Sequence, residues 1–321
     1  MNQIIQSSFE PVNNSITYLS DLSDKDKKWD AHRANTDKVS SIYGKNKEFI
    51  KYQSKMNVCS EFLSFAERLN RDTGEIKLKL KTASFCRVRA CPVCTWRKAL
   101  RNTSRFFSKL PDLQKEHPTA RWLFLTLTVP NCNPKELRAT IQSMNKGWKR
   151  LTQMKIWPAL GFVRSVEVTR SATGEAHPHF HCLLQVPAGY FTDRHYITHD
   201  EWLGFWRDSM RDQSITQVDI RAVSARRDGQ TIESAIVETL KYATKVEDAF
   251  SDASWLYTTT EQLKGLRFIA AGGTLKGIFK DELTEQEMIV GDEAESEEED
   301  ETKQLHFSWN SRAKRYKKFD I

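Results

Sequence analysis

The stretch HPHFHCLL, residues 177–184, places three of the chain's eight histidines within five positions. An extended strand turns successive side chains to opposite faces. His177, His179 and His181 therefore share one face, and Phe180, Cys182 and Leu184 take the other. The run before it, GFVRSVEVTR (161–170), reads as a second strand, with a turn at SATGE between them. If that hairpin is centred near Thr173, Glu167 falls opposite His179. Directly opposed residues lie on one face with Cβ atoms about 4.5–5.5 Å apart. Two imidazoles and a carboxylate then converge, a set that suits a divalent cation with open coordination positions. A register slip of one residue would send Glu167 to the other face. Surface histidines, or a structural zinc site, are the plainer alternatives. His177, at the start of the strand, is left open as a ligand.

Further elements extend in both directions. RWLFLTLTV (121–129) is a strand, and PKELRATIQSMNKGWKRLTQM (134–154) is an amphipathic helix with Pro134 at its start. After the hairpin, THDEWLGFWRDSMRD is a helix capped by Thr198 or Asp200. TQVDIRAV is a strand and TIESAIVETLKYATKVEDAF another helix. The order β-α-β-β-α-β-α gives an α+β fold. Its first six elements match the ferredoxin-like arrangement, an antiparallel sheet with helices on one face. On the last helix Glu238, Tyr242 and Lys245 fall at i, i+4 and i+7, on one stripe. Ile232, Ile236, Leu240 and Ala243 fall on the opposite, buried stripe. A tyrosine between an acid and a base can serve as a nucleophile, or it is an ordinary exposed tyrosine.

A different pattern precedes this region. EFLSFAERL and EIKLKLKTASF alternate around NRDTG, a β-hairpin signal. Cys86, Cys91 and Cys94 follow at metal-ligand spacing, and the hairpin brings Cys59 beside Cys86 as a fourth ligand. Four thiolates make a closed, structural Zn²⁺ site; the alternative is four buried free thiols. Cys132 and Cys182 have no partner spacing and read as core. The helix after the knuckle (96–110) carries Arg97, Lys98, Arg101 and Arg105, which we expect to contact DNA.

Charge supports a polyanionic partner. The net charge of +7 conceals residues 281–301, with twelve acids and no Lys or Arg. The other 300 residues carry 49 basic against 30 acidic side chains, a net +19. Such a body points to nucleic acid. The acidic stretch reads as a disordered linker, and the tail KQLHFSWNSRAKRYKKF as a further DNA contact or an arm with which the linker competes. No run of 18 apolar residues and no signal peptide is visible, so a cytoplasmic protein with reduced thiols and no membrane association is expected. The expected division is a segment of unknown role (1–55), a zinc-binding hairpin, knuckle and basic helix (56–120), the α+β domain that carries the histidines (121–280), and a linker with its tail (281–321).

FLTLTVPN (124–131), HPHFH (177–181) and YATK (242–245), with CRVRACPVCTWRKAL (86–100) and LRFIAAGGTLK (266–276), together resemble the plasmid rolling-circle replication initiators. These are the Rep family of HUH endonucleases, here of the single-tyrosine type with an upstream Glu. The resemblance covers roughly residues 57–280. It implies an RRM-like HUH nuclease domain in which His179 and His181, with Glu167, bind Mg²⁺ or Mn²⁺. Tyr242 would attack the scissile phosphate, leaving a 5′-phosphotyrosine and a free 3′-OH, with Lys245 assisting. Glu238 would activate water for the terminating cleavage. The implied partners are plasmid DNA at the double-strand origin, a host helicase and a DNA polymerase. An HUH transposase or mobilisation relaxase, and a non-catalytic zinc-dependent DNA-binding regulator, remain as alternatives.

Overall fold

The computed structural model describes residues 16–70, 74, 76–192, 194–223, 232–240, 252–279, 288–289 and 299–320. In chain order the elements are α1 (Leu19–Leu22), α2 (Lys27–Gly44), α3 (Ile50–Asn57), β1 (Phe62–Asn70), β2 (Ile76–Ala83), α4 (Pro92–Glu116), β3 (Arg121–Thr128), α5 (Leu137–Leu151) and β4 (Gly161–Arg170). There follow β5 (Ala176–Val186), α6 (His199–Met210), β6 (Val218–Val223), α7 (Ile232–Thr239), α8 (Ala253–Leu263), β7 (Ile269–Gly273), β8 (Glu299–Asn310) and β9 (Arg315–Phe319). The strands form two antiparallel sheets, a larger one ordered β6-β3-β5-β4-β7 and a smaller one ordered β2-β1-β8-β9. No helix among the described residues is long and apolar enough to cross a membrane.

The larger sheet is packed as the alternation in β5 requires. Phe180, Cys182, Leu184 and Val186 are fully buried on one face, against α5 and α6. On α5 the buried residues Leu137, Ile141, Met144, Trp148 and Leu151 recur every three or four positions, the period of one helical face. Gly147 lets the two helices approach: a Cβ there would lie 2.3 Å from the Met210 sulfur. On α6 Thr198 and Glu201 form a reciprocal capping box, and Arg211, in the left-handed region at φ 58°, ends the helix.

The second face is not bare, as a one-sided arrangement would have it. Beyond His181 the same alternation presents Leu183, beside Phe124 on β3 and Val163 on β4. The second half of α4 and α7 cover these with Phe106, Leu110, Ala235, Ile236 and Leu240. One end of this face is therefore a second hydrophobic layer, and the other end keeps the histidines. Around the larger sheet, α8 and the fifth strand β7 were not anticipated. The sequence IAAGG of β7 is too short and glycine-rich to read as a strand. Gly273 is needed there, because at φ +61° a Cβ would meet the Leu160 carbonyl oxygen at 2.0 Å.

The smaller sheet draws together parts of the chain that lie far apart in sequence. From residue 16 the N-terminal segment shares one core with the cysteine segment and the tail: Trp29, Val39 and Tyr43 of α2 pack with Phe65, Phe307 and Tyr316. The tail is therefore not a free arm. It forms β8 and β9, pairs with β1, and Tyr316 donates its hydroxyl hydrogen to the Ser60 carbonyl at 2.7 Å. A two-stranded hairpin such as β1-β2 needs further strands to be stable, and the tail supplies them. Most of the acidic stretch lies outside the described residues. Its apolar island is placed: Met288 is buried in the same core.

Candidate functional site

The β4-β5 hairpin brings Glu167 opposite His179, in the expected register. The Glu167 Oε2 atom lies 3.0 Å from His179 Nε2 and 2.7 Å from His181 Nε2. The three ligand atoms lie within 4.8 Å of one another. Their outer nitrogens are held from behind. His179 Nδ1 lies 3.3 Å from the His177 carbonyl oxygen, and His181 Nδ1 lies 3.3 Å from Thr126 Oγ1. The carbonyl can only accept, so a neutral His179 donates from Nδ1 and turns the bare Nε2 lone pair toward a carboxylate oxygen. Two acceptors at 3.0 Å repel unless a positive charge lies with them. A proton or a metal ion supplies it, and the back-side partners are those that orient ligating imidazoles. The donor set therefore fits a divalent cation. Burial alone would raise the Glu167 carboxyl, but the two imidazoles bonded to it hold it well below the usual carboxylate range. The side chains of Glu167 and the histidines remain 13% and 11% exposed, which leaves access from solvent.

His177 does not join this group. Its Nδ1 lies 2.7 Å from Asn131 Oδ1 at the rim, and burial, then the nearby His179, lowers its pKa. Three residues that strand and spacing rules did not single out shape the site: Phe124, Thr126 and Asn131. The Phe124 ring stacks on His181 with centroids 5.5 Å apart. All three belong to FLTLTVPN (124–131), and the alternate residues Phe124, Thr126 and Thr128 face the histidine side of the sheet. That motif was legible as a resemblance, while its role depends on the pairing of β3 with β5.

Glu238 is on α7, half-buried, on a helix whose Ala235 and Ile236 pack onto the histidine face of the sheet. Tyr242 and Lys245 lie outside the described residues.

The four cysteines Cys59, Cys86, Cys91 and Cys94 form a second cluster. The sulfur of Cys59 is 3.6 Å from those of Cys91 and Cys94, and Cys86 is 3.6 Å from Cys94. Thiolates at ~2.3 Å from a tetrahedral zinc stand about 3.8 Å apart, so this spacing fits such an ion. Burial opposes ionisation of Cys91, but hydrogen bonds from the other three thiols outweigh it and hold it well below an ordinary thiol. Hydrogen bonding within the cluster holds Cys86 and Cys94 up. Backbone N–H groups of Cys86 and Arg87 point at the sulfurs of Cys59 and Cys94, at 3.5 and 3.2 Å. Cys132 and Cys182 stand apart from both clusters.

The four basic residues of the helix after the knuckle do not share a surface. Arg97 and Arg101 are 5% and 4% exposed. Arg97 donates to the Met288 carbonyl at 2.8 Å and lies over the rings of Trp29 and Trp96. Residues 97, 101 and 105 lie on one stripe of α4, and this stripe turns inward; Lys98, one position round, reaches solvent. Helical spacing alone does not say which stripe is buried.

A family described as "Replication protein" matches residues 77–317. The chain belongs to that replication protein family. A "Protein rep" of Bacillus amyloliquefaciens is 34% identical over 281 residues, covering 81% of this chain and 79% of its own. A "Protein rep" of Streptococcus pneumoniae serotype 2 is 34% identical over 229 residues, covering 69% and 68%. One of Staphylococcus aureus is 36% identical over 194 residues, covering 59% and 80%. No solved structure matches. The family match in this replication protein includes Glu167, both site histidines and three of the four clustered cysteines; Cys59 precedes it.

Proposed function

We propose that this replication protein initiates plasmid rolling-circle replication as an HUH endonuclease, nicking one strand at the double-strand origin. The observation that carries this reading is the convergence of Glu167 with His179 and His181 on a sheet face crossed by the helix of Glu238. The strand order and the two helices on the opposite face fit a ferredoxin-like HUH scaffold. Glu167, His179 and His181 would hold Mg²⁺ or Mn²⁺, which supplies charge neutralisation at the phosphate oxygens. The Tyr242 hydroxyl oxygen bonds to phosphorus, the P–O3′ bond breaks, and the proton ends on the departing 3′ oxygen. The products are a 5′-phosphotyrosine and a free 3′-OH, which a host polymerase extends behind a host helicase. Lys245 adds positive charge beside the phosphate.

A second cleavage must end the cycle after Tyr242 is consumed. Glu238 lies one turn before Tyr242 in sequence, and we assign it to activate water for that step. The four cysteines would hold structural Zn²⁺.

The test is incubation of the protein with its supercoiled cognate plasmid and Mn²⁺. Nicked circles with protein attached to the 5′ end are expected, and none from Tyr242→Phe or His179→Ala. Glu238→Ala should nick and form the adduct yet accumulate multimeric plasmid. A mobility shift without nicking by the wild-type protein would overturn the reading.

A further inference from the structure

Beside the histidine face the protein contains a cavity of about 490 Å³. Ligand sites typically fall in the range ~300–1,000 Å³. Its wall is built by the cysteine knuckle and the start of α4, by α2 and α3, by the end of α8 with the loop into β7, and by the middle of β4, with Leu240 and Met288. Five basic side chains line it, Lys55, Arg87, Arg89, Lys98 and Lys264, and among the described residues no acidic side chain does. Cys86 and Cys94 also line it. Four thiolates on a divalent ion would carry a net −2, so the five cations still leave the wall positive. Val88, Leu240, Phe268 and Ile269 give it an apolar side, Tyr52 supplies an aromatic ring, and Thr95, Asn102, Ser165 and Thr260 add uncharged polar groups. The Arg89 guanidinium lies 4.0 Å above the Phe268 ring and donates to the Leu266 carbonyl at 2.8 Å, which ties the knuckle to the loop before β7.

Two features connect this cavity to the nuclease face. Ser165, in its wall, is the register partner of His181. Leu240, also in its wall, continues the helix that carries Glu238. The knuckle side is held by the cysteines: Arg87 takes a left-handed φ of 56°, which costs a non-glycine residue energy, while its N–H points at the Cys94 sulfur.

We propose that this cavity seats a nucleotide of the single-stranded DNA next to the scissile phosphate, with its phosphate against Arg87, Lys98 and Lys264 and its base against the apolar wall. The inference rests on the nickase reading and names where that enzyme holds its strand. Positive charge draws the backbone, and a flat apolar surface accepts any unstacked base, the combination by which proteins bind single strands. Duplex DNA keeps its bases stacked inside the helix and cannot insert one into the cavity. The cysteine cluster then has a role beyond stability, because it holds the basic turn 87–90 as one wall of the strand's path.

The test uses the full chain carrying Tyr242→Phe, so that binding is read without cleavage. A fluorescein-labelled single-stranded oligonucleotide is titrated at fixed salt and followed by anisotropy. The double variant Lys98→Ala with Lys264→Ala should weaken binding about tenfold or more. The control is Lys146→Ala with Lys149→Ala, exposed residues of α5 on the opposite side of the sheet, and it removes the same charge with less than a twofold effect. Equal losses in both doubles would overturn the proposal, since they would report overall charge alone. Displacement of the oligonucleotide by free deoxynucleoside monophosphate at similar concentration would also overturn it, in favour of a free-nucleotide site. A thiothymidine-substituted oligonucleotide cross-linked to the unaltered cavity gives a reading independent of any substitution there. Cross-links in the peptides of Tyr52, Val88 or Phe268 are expected, and their absence when the strand cross-links elsewhere would count decisively against the cavity. A protein that binds in this way but never nicks a plasmid would fail the nickase reading and leave the cavity assignment standing. A nickase whose cavity variants bind normally would do the reverse.

Discussion

Glu167 concentrates the chemistry at the scale of single residues. Its carboxyl is held below the ordinary carboxylate range by two imidazoles, against the effect of burial. It therefore stays ionised in the fold at pH values where the unfolded chain's Glu167 takes a proton. Protons then bind the unfolded chain more tightly, and the stability this group contributes is present at neutral pH and lost as pH falls below about 4.3, the ordinary value. In protein without added divalent ions, the urea midpoint of wild type should drop more steeply between neutral pH and about 3.5 than that of Glu167→Gln. Parallel slopes would remove the assigned partnership. Thr126 acts one step further out, through its contact with His181 Nδ1. Thr126→Val keeps shape and loses that hydroxyl. We expect its nicking to need roughly tenfold more Mn²⁺ for half-maximal rate, with the rate at saturation near normal, the usual scale for a group that orients a ligand. An unchanged Mn²⁺ requirement would show that Thr126 does not orient the imidazole.

Elements fold as units, and two of them carry predictions. The β8-β9 hairpin covers β1, which would otherwise be an open edge, and adds Phe307 and Tyr316 to the core of the smaller sheet. Removing residues 299–321 would leave the edge of β1 unpaired beside exposed apolar surface, a known route to aggregation. The truncated chain should be recovered mainly as aggregate. A soluble truncation whose thermal transition lies within a degree or two of wild type would show that the hairpin is dispensable to the fold. The knuckle stands on Cys59, Cys86, Cys91 and Cys94. Cys94→Ser should release the bound metal, measured by elemental analysis, and lower stability by several kcal/mol, because binding energy at a structural zinc site is folding energy. Full zinc content in Cys94→Ser would rule out the four-thiolate centre. α4 joins both predictions to the site: it begins at the cysteines with Pro92 and its second half packs against α7 and the larger sheet.

Charge is a property of the whole molecule. A body of net +19 against an acidic stretch is a balance that sets how tightly the protein holds DNA of any sequence. Replacing Asp292, Glu293, Glu295, Glu297 and Glu298 with Ser or Gln leaves the buried Met288 in place and removes five negative charges. Non-specific duplex affinity should rise, and the slope of log K against log[salt] should steepen by roughly 0.9 for each phosphate newly neutralised. An unchanged slope would reduce the acidic stretch to a spacer.

The sequence by itself determined the β-α-β-β-α-β order, the register that sets Glu167 against His179, and the fourth cysteine. All of these follow from local rules: strand alternation, hairpin pairing and ligand spacing act over a few residues and need no knowledge of distant chain. The tertiary structure alone decided the rest. It placed the tail in the sheet of β1 and β2, because strand pairing across more than two hundred residues leaves no local signature. It turned Arg97 and Arg101 inward and left Lys98 outward, because a helix dictates which residues share a stripe, and only its neighbours dictate which stripe is covered. It also formed the basic cavity, whose walls come from residues 43 to 288 and meet only when the two sheets, α4 and α8 are packed together.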